Sequence, residues 1–477
     1  MEPQLVKEVA RELDGLLTGG IIFRIHQPDP KTLTIRVFRG KEYTLLISCH
    51  PRFCRIHLTE KRFKNPPVPP RFCALLRSRI LNQRILGIKA LEGERIVHIK
   101  FKDFTLVVEL TGKSSNVILI DQNSTVVDAL RHYPPEESKR VVFPGVKFTP
   151  LPKPEGITEK PLPIEKKEGE IWNEALDRYY TELTEKEEFQ REYIHLSRIL
   201  KDARKRVERK IKNILSDRQR AEKEKEYQKT GELLLSNFHL LKRGMKEVEL
   251  EDFYKSPPEK VRIELDPALS PQENAEKFFR RAKKAKRTLE MVAQRLPEVE
   301  EELRYIETLL YELESAETKE EMEELKSVLI KEGYLKEPSQ RLLKDPVRPA
   351  KPSSIGRLLT DEGFTILYGR NSRANDLLLR EYTAKDDLWF HAKGVPGSHV
   401  VLKLAGRCPS EETIRHAAGV AAFLSKNRSA KKVEVIFTEA KNVRKPKGAR
   451  PGLVTVAEYR TIVVEPLEPE GRNKGNS

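Results

Sequence analysis

The most regular pattern of apolar residues in the chain lies between Ala275 and Leu313, where such residues recur at alternating steps of three and four. This heptad spacing predicts a long helix that packs against a partner helix, with Pro297 expected to kink it or open it locally. A second apolar stripe, within Glu187–Gln228, supplies the partner. The first stripe comprises Phe278, Ala282, Ala285, Leu289, Val292, Leu296, Val299, Leu303, Ile306, Leu310 and Leu313, and the second comprises Leu196, Leu200, Ala203, Val207, Ile211 and Ile214. We therefore expect an antiparallel coiled-coil hairpin over residues 185–335 with a small tip at about 229–270.

Helical and alternating apolar patterns predict a mixed α/β domain over residues 1–155. It begins with an amphipathic helix whose apolar positions are Leu5, Val9, Leu13, Leu16 and Leu17. The predicted strands cover residues 21–26, 33–38, 43–49, 55–58, 95–101, 104–109 and 117–121, and a further helix is predicted over 72–86. Residues 156–184 are expected to form a Pro-, Lys- and Glu-rich linker and the first turns of the helical region.

A small α/β domain is predicted over residues 352–468, after a second linker rich in Lys and Pro. Its expected elements are strands at 364–368, 398–402, 433–438, 453–456 and 461–464 and a helix at 411–425. Residues 469–477 are expected to be a disordered tail. The predicted fold class is therefore α+β multidomain, with a mixed α/β N-terminal domain, a central antiparallel coiled-coil hairpin and a small α/β C-terminal domain.

Side chains that commonly contact other molecules are concentrated between Leu367 and Leu404, where several Gly and Pro residues predict loops. Guanidinium groups bind phosphate in bidentate fashion, amides read base edges, and an indole can stack on an unpaired base. The candidate RNA-binding residues are Arg370, Asn371, Arg373, Asn375, Lys385, Asp387, Trp389, His391, Ser398 and His399. The alternative, which these residues alone leave open, is a domain whose Trp389 is core and whose charges are merely solvated.

Charge composition favours a polyanionic partner. The chain has 477 residues, with 89 Lys and Arg against 73 Asp and Glu and a formal net charge of +16. A membrane surface would fit the charge equally well. However, no apolar run approaches the roughly 20 residues needed to span a bilayer, and the first residues do not resemble a signal peptide. We therefore expect a cytoplasmic protein without a membrane partner.

The residue patterns suggest no catalytic, metal or cofactor site. The cysteines, at 49, 54, 73 and 408, have neither zinc-ligand spacing nor the density of a disulfide scaffold. Four histidines of the N-terminal part, at 26, 50, 57 and 98, are scattered and are interpreted as structural or RNA-facing. We expect no cofactor and no enzymatic chemistry of the protein's own.

Several long motifs resemble the NFACT family of ribosome-associated quality control factors, whose bacterial members are also called fibronectin-binding protein A-like. In the C-terminal part these are Tyr368–Asn371, Asn375–Asp376, Lys385–His391 and Pro396–Val400. The stretch Val443–Gly452 is similar to the closing basic hairpin of the family's RNA-binding domain. The resemblance therefore implies further RNA-binding roles for Arg444, Lys445 and Lys447. Ile25–Pro28 and Glu109–Asp121 resemble the family's N-terminal domain.

The resemblance implies that the protein works by positioning RNA molecules and not by catalysing a reaction itself. A family member is expected to bind a stalled large ribosomal subunit that carries nascent peptidyl-tRNA, and to recruit a charged tRNA, alanyl in bacteria, for template-free C-terminal tailing. The ribosome would then supply the peptide-bond chemistry. The implied partners are rRNA, tRNA, peptidyl-tRNA and a stalk-base protein contacted through the coiled coil.

An Asp-Arg pair tied to tRNA engagement in the family is matched here by Glu94 and Arg95. Glu adds a methylene, which changes how the carboxylate orients the guanidinium. A helix-hairpin-helix element that many relatives carry near residues 145–170 has no convincing match. Both departures favour an alternative, a divergent member that binds stalled subunits or tRNA without tailing.

Two functions of other classes are weighed against these. An adhesin that binds fibronectin is disfavoured by the absence of a secretion signal. A DNA glycosylase is disfavoured because Met1-Glu2-Pro3 lacks a catalytic Pro-Glu start.

Basic runs along the coiled coil, at Arg204–Arg206 and Arg280–Arg287, leave two interpretations open. They are a solvated helical surface, or they contact ribosomal RNA phosphates.

Overall fold

The computed structural model describes residues 1–134, 140–151, 164–336 and 355–469, and it divides into two compact units, Met1–Glu188 and Phe189–Ser477. Helix α3 (Trp172–Lys225) begins in the first unit and ends in the second. The other elements of the first unit are α1 (Pro3–Leu17), β1 (Ile21–Asp29), β2 (Thr32–Arg39), β3 (Lys41–Ser48), β4 (Arg55–Leu58), α2 (Arg71–Ile80), β5 (Gly87–Ala90), β6 (Ile96–Lys100), β7 (Phe104–Glu109), β8 (Asn116–Asp121) and β9 (Val126–Ala129).

Two antiparallel sheets and helix α1 enclose the core of the first unit. One sheet has the strand order β1-β2-β3-β4 and the other β5-β6-β7-β8-β9, so each strand pairs with its neighbour in sequence. The spacing of Leu5, Val9 and Leu13 places all three on one side of α1, and they are buried in the same cluster as Ile47 and Val108. Burial of each such side chain contributes roughly 1.5–3 kcal/mol. The predicted mixed α/β organisation follows from these alternating patterns.

The second unit contains a helical region and a separate sheet. Its elements are α4 (Tyr227–Ser236), β10 (Glu247–Asp252), β11 (Glu259–Glu264), α5 (Pro271–Ser315), α6 (Lys319–Lys331), β12 (Ile355–Leu359), β13 (Thr365–Gly369), α7 (Ser372–Glu381), β14 (Leu388–Ala392), β15 (Val400–Lys403), α8 (Glu411–Phe423), β16 (Val433–Glu439), β17 (Val443–Arg444), β18 (Thr455–Val456) and β19 (Arg460–Val464).

Helices α3 and α5 pack antiparallel through the predicted apolar stripes. Their direction is visible in two ion pairs, because Lys210 Nζ lies 3.5 Å from Glu302 Oε2 and Arg281 Nη2 lies 3.7 Å from Glu224 Oε1. Helix α5 continues through Pro297 without ending there. The apolar stripe residues Leu196, Leu200, Ala203, Val207, Ile306, Leu310 and Leu313 share one buried cluster. The predicted fold class, with its central helical hairpin, is confirmed.

Helix α6 lies in a Glu-rich stretch within the range predicted for the coiled-coil hairpin. A capping box begins it, in which the Thr318 side chain accepts from Glu321 N while the Glu321 side chain accepts from the backbone of Thr318. The helix buries Met322, Leu325 and Leu329 against the α3–α5 pair. Glu320 and Glu323 therefore lie on the exposed side of a packed helix.

The tip between α4 and α5 is a small β-hairpin domain. Strands β10 and β11 pair antiparallel, and Leu250 and Ile263 of this ribbon are buried together with Leu234 of α4 and Ala275 of α5.

The C-terminal part is an antiparallel sheet covered on both sides. Its strand order is β12-β13-β15-β14-β16-β19. Because side chains alternate along a strand, Phe390 faces a cluster with α8 while its neighbour Trp389 faces α7 and the ribbon β17–β18. The loops predicted within Leu367–Leu404 alternate with regular elements, since this stretch contains the end of β13, all of α7, β14 and β15, of which α7 and β14 were not predicted.

Some predictions concern residues outside the described ranges. These are much of the first linker, much of the second, and most of the tail, at 152–163, 337–354 and 470–477. The predicted domain boundaries stay predictions. Among the described residues, no helix combines the length and apolar character that crossing a membrane requires.

Candidate nucleic-acid interface

Trp389 lies in the core of the C-terminal sheet. Its side chain is 1% exposed and packs with Leu378 of α7 and Val401 of β15. The interpretation that this indole stacks on a base is therefore wrong for this structure, and the alternative of a core Trp is correct. The physical reason is that the sheet is covered on both sides, so that α7 and the ribbon β17–β18 bury Trp389 while α8 buries its neighbour Phe390.

Two histidines complete an aromatic cluster with Trp389. The His391 ring stacks on the indole with centroids 5.8 Å apart, and the His399 ring meets the indole edge-on at 5.2 Å. Burial lowers the pKa of His391, which backbone hydrogen bonds offset only in part. Burial and the neighbouring charges of His391 and Lys445 hold the pKa of His399 well below its usual value. Both rings are therefore neutral near pH 7 and supply no cationic group for phosphate.

Asn375, Ser398 and His399 connect strands and helix inside the domain. Asn375 is 4% exposed, and its Oδ1 accepts a hydrogen bond of 3.0 Å from His399 N. Ser398 is buried, and its backbone N–H donates to Leu424 O at 2.8 Å. These residues do not reach solvent, so their predicted direct contact with RNA is corrected to a structural role.

Asp387 is likewise structural. Its carboxylate is buried, accepts from Ala384 N at 2.6 Å and from Leu404 N at 3.0 Å, and forms an ion pair with Lys403. It therefore ties the turn before β14 to the end of β15. Its predicted role in RNA binding is also corrected.

The closing basic hairpin, defined as residues 443–456, covers the Trp389 side of the sheet and exposes its charges. Arg444, Lys445 and Lys447 are all exposed. Asp376 of α7 fixes both arms of the hairpin, since it forms an ion pair with Lys445 and accepts from Gly452 N at 3.1 Å. Arg444 and Lys447 therefore remain the best placed of the predicted residues to contact phosphate.

Arg370, Asn371 and Arg373 lie where α7 begins, next to helices α5 and α6. Asn371 caps α7, with its Oδ1 accepting from Ala374 N at 2.8 Å. Its Nδ2 donates to Glu324 Oε2 at 3.3 Å, and Ser372 N donates to Glu312 Oε1 at 2.5 Å. Arg370, Arg373 and these carboxylates line one small cleft. Three of the predicted RNA-binding residues thus lie beside acidic groups of the same chain.

Arg450 adds a contact that sequence reasoning missed. Its Nε lies 3.8 Å from Glu332 Oε2, and its guanidinium carbon lies 4.8 Å from the centre of the Tyr305 ring. The sequence does show this Arg within the basic motif Val443–Gly452. Its acidic partner could not be identified, because Glu332 is over a hundred residues away in sequence.

Lys385 stands apart from this junction. It is exposed in the turn between α7 and β14. Its position leaves it available to a polyanion.

In the first unit, Glu94 and Arg95 occupy the turn between β5 and β6. Both are partly buried, and the turn is closed by hydrogen bonds from Glu94 N to Leu91 O and from Leu110 N to Arg95 O. The negative charge of Glu94 contributes to the raised pKa of the buried Glu109, although burial is the larger cause. Glu109 itself is paired with Arg140 at 2.5 Å. The predicted pair therefore lies at a charged edge of the second sheet.

A polar cavity of about 230 Å³ lies elsewhere in the first unit, lined by His26, Gln27, Asn65 and Arg77 among others. Burial, and then the charges of Arg77 and other arginines, lower the pKa of His26. Gln27 Oε1 is buried without a hydrogen-bond partner.

The basic runs of the coiled coil are largely exposed. In the run 280–287 only the two alanines are buried. Arg204 and Arg281 are engaged by Glu208 and Glu224, which are 3.3 and 3.7 Å away. Both interpretations of these runs, a solvated surface and an rRNA contact, stay predictions. Within the described ranges, no group of three or more His, Cys, Asp or Glu side chains has the arrangement of a metal site.

Comparison with known proteins gives matches along nearly the whole chain. The model for NFACT N-terminal and middle domains matches residues 4–168 and 156–346, and the model for the NFACT protein RNA binding domain matches residues 356–457. The protein named Rqc2 homolog RqcH from Bacillus subtilis is 30% identical, with 96% of each chain covered. Ribosome quality control complex subunit 2 of Saccharomyces cerevisiae is 26% identical over 28% of this chain and 13% of its own length.

Among solved structures, the C-terminal part of the fibronectin/fibrinogen-binding protein from Streptococcus suis is 26% identical, with a TM-score of 0.43, covering 59% of this chain and 96% of that one. The family models together span the N-terminal, middle and RNA-binding parts, in the order in which the structure arranges them. The chain belongs to the NFACT family.

Proposed function

We propose that this protein acts in ribosome-associated quality control, where it binds stalled large ribosomal subunits that carry peptidyl-tRNA. The observation that carries the proposal is the 30% identity over 96% of both chains to Rqc2 homolog RqcH. A match of that extent includes the RNA-binding domain and the helical hairpin together. The exposed Arg444 and Lys447 of the closing basic hairpin support the RNA contact, because exposed cations neutralise phosphates.

In this proposal the protein recruits a charged tRNA, alanyl-tRNA, and supports template-free C-terminal tailing of the nascent chain. Glu94 and Arg95 engage the tRNA, and the α3–α5 hairpin reaches a stalk-base protein of the subunit. The peptide bond is made by the ribosome, so the protein contributes position and not chemistry.

The test is a tailing reaction with purified stalled subunits, alanyl-tRNA and the full-length protein. Arg95→Ala is expected to reduce tailing by roughly 10- to 100-fold, because a charge-assisted hydrogen bond is lost. Arg62→Ala, at an exposed arginine of the same unit, is the matched control and should leave tailing unchanged. Tailing that does not depend on Arg95 would remove that residue from the tRNA site.

A second candidate is favoured by Glu94, which stands where the family pattern has Asp. In this candidate the protein binds stalled subunits without tailing. Wild-type protein that binds subunits but adds no residues would support it, and gain of tailing by Glu94→Asp would show that the extra methylene is the cause.

A further inference from the structure

The contact between α7 and the helical region joins polar donors to carboxylates of the same chain. Asn371, Ser372 N–H and Arg450 make these contacts, and Arg370 and Arg373 line the same cleft; we call these five groups the junction face. The carboxylates form what we call the acidic base: Glu312 of α5, Glu324 of α6 and Glu332 at the end of α6.

The junction face has the donor chemistry of an anion site. Ser372 N–H is one of the backbone donors at the start of α7 that have no acceptor within the helix, and the partial positive charge of the helix lies at this end. The Asn371 amide donates to Glu324, and the Arg450 guanidinium forms an ion pair with Glu332. A carboxylate and a phosphodiester accept hydrogen bonds from the same donors, and guanidinium groups suit both. The acidic base therefore occupies positions that RNA phosphates would otherwise take.

Space at the junction excludes simultaneous occupancy. The cleft lined by Glu312, Glu321, Glu324, Arg370 and Arg373 has a volume of about 30 Å³. That is room for a water molecule or two, so a phosphate would have to take the positions that the carboxylates now hold. RNA can reach the junction face only where the acidic base has withdrawn from it.

Burial of the ionised Glu312 side chain weakens the contact between the acidic base and the junction face. Burial raises the pKa of Glu312 to about 6, although the hydrogen bonds from Ser372 oppose the shift. An ionised carboxylate held in a desolvated position is less stable there than in water. Docking at neutral pH is therefore weaker than the same contacts would give with a neutral acceptor.

We infer that the junction face is a phosphodiester-binding surface that the chain's own Glu312, Glu324 and Glu332 occupy, so that RNA and the acidic base compete for it. The inference rests on the proposed RNA-binding function. It adds a specific surface, a specific competitor within the chain, and a release step that couples RNA binding to separation of the C-terminal domain from the helices.

The experiment compares full-length proteins for binding to a fluorescent 20-nucleotide single-stranded RNA. The triple variant Glu312→Ala/Glu324→Ala/Glu332→Ala, which removes all three acceptors, is expected to bind about tenfold more tightly than wild type, within the usual range of coupling between two sites. The matched control, Glu298→Ala/Glu300→Ala/Glu301→Ala, makes the same charge change at exposed positions of α5. It is expected to change the affinity by no more than about twofold, through general charge alone.

A second variant separates competition from charge. Glu312→Asp/Glu324→Asp/Glu332→Asp keeps the net charge but shortens each side chain, so the carboxylates no longer reach their donors. It is expected to raise RNA affinity as well, together with faster amide hydrogen exchange at Ser372.

The outcomes distinguish this inference from the proposed function. An equal gain of RNA affinity in the junction and control variants would overturn the inference while leaving RNA binding intact. The same holds if the Asp variant shows faster amide exchange at Ser372 but no gain of RNA affinity. Absence of RNA binding by all the proteins would overturn the RNA-binding function and the inference with it.

Discussion

The Ser372 backbone N–H donates a hydrogen bond of 2.5 Å to Glu312 Oε1, which joins the first residue of α7 to the last turn of α5. This bond places a carboxylate at the start of the helix that carries Asn371, Arg373 and Asp376. The same helix fixes the closing basic hairpin through Asp376. A change at Glu312 is therefore expected to reach the RNA-facing part of the C-terminal domain.

The first prediction concerns the pH dependence of this contact. The folded pKa of Glu312 is about 6, above its ordinary value of 4.5. The folded state therefore binds the proton more tightly, and the contribution of this group to stability is present below about pH 4.5 and is lost as the pH rises through about 6. The side chain introduced by Glu312→Gln does not titrate, so the variant lacks this pH-dependent contribution to stability. We expect the free energy of unfolding of the Gln variant, relative to wild type, to rise by roughly 2 kcal/mol between pH 4.5 and 7.5.

Urea unfolding followed by Trp389 fluorescence, in a Trp172→Phe background, measures this difference. These two positions hold both tryptophans of the chain. A difference that stays constant across the pH range would contradict the assigned pKa.

The second prediction separates packing from RNA contact at Trp389. Because the side chain is 1% exposed, Trp389→Ala should cost about 3–5 kcal/mol of stability. Trp389→Phe should cost only about 1–2 kcal/mol, since the buried indole N–H has no hydrogen-bond partner to lose. The folded Phe variant should bind RNA as wild type does. Weaker RNA binding by Trp389→Phe, without loss of stability, would restore a stacking role.

The third prediction uses two adjacent acidic residues. Asp387→Ala leaves Ala384 N, Leu404 N and the Lys403 ammonium without their acceptor, so it should destabilise the domain by about 3 kcal/mol. Asp386→Ala, at an exposed position, should stay within about 0.5 kcal/mol of wild type. Chemical denaturation of the two variants makes the comparison, and equal effects would show that the buried network is unimportant.

The fourth prediction concerns the closing basic hairpin. Arg444→Glu/Lys447→Glu should weaken RNA binding and reduce the slope of log affinity against log salt by about 1.4, which corresponds to two phosphate contacts on a single strand. Lys445 is left unchanged because its ion pair with Asp376 also holds the hairpin in place. Lys431→Glu/Lys432→Glu, at exposed positions of the same domain, is the charge-matched control. An unchanged slope in the hairpin variant would show that the hairpin does not contact RNA.

Periodicity was sufficient to predict the helical hairpin, because apolar spacing is a local property of the sequence. Leu196 and Leu310 repeat at helical intervals, and they share a core in the structure. The same holds for Leu5 and Leu13 of α1. Met322, Leu325 and Leu329 of α6 also have helical spacing, but the many Glu residues around them make this stretch resemble a solvated charged segment.

The site was harder to predict because burial depends on residues distant in sequence. Trp389 and Asp387 look like recognition residues in a polar stretch, and only the cover formed by α7 and the ribbon β17–β18 makes them internal. The partnership of Ser372 with Glu312 spans 60 residues, and no local pattern encodes it. Exposed cations such as Lys447 were predictable, since a basic loop rich in Gly and Pro has few ways to be buried.

Sequencing of the RNA that co-purifies with the tagged protein from its own cells tests whether the protein binds stalled ribosomal subunits and a tRNA. We expect large-subunit rRNA together with one enriched tRNA, and the identity of that tRNA gives the amino acid used for tailing. Large-subunit rRNA without a tRNA preference would leave a stalled-subunit binder that lacks tailing. Recovery of no ribosomal RNA above a mock purification would contradict the proposed function.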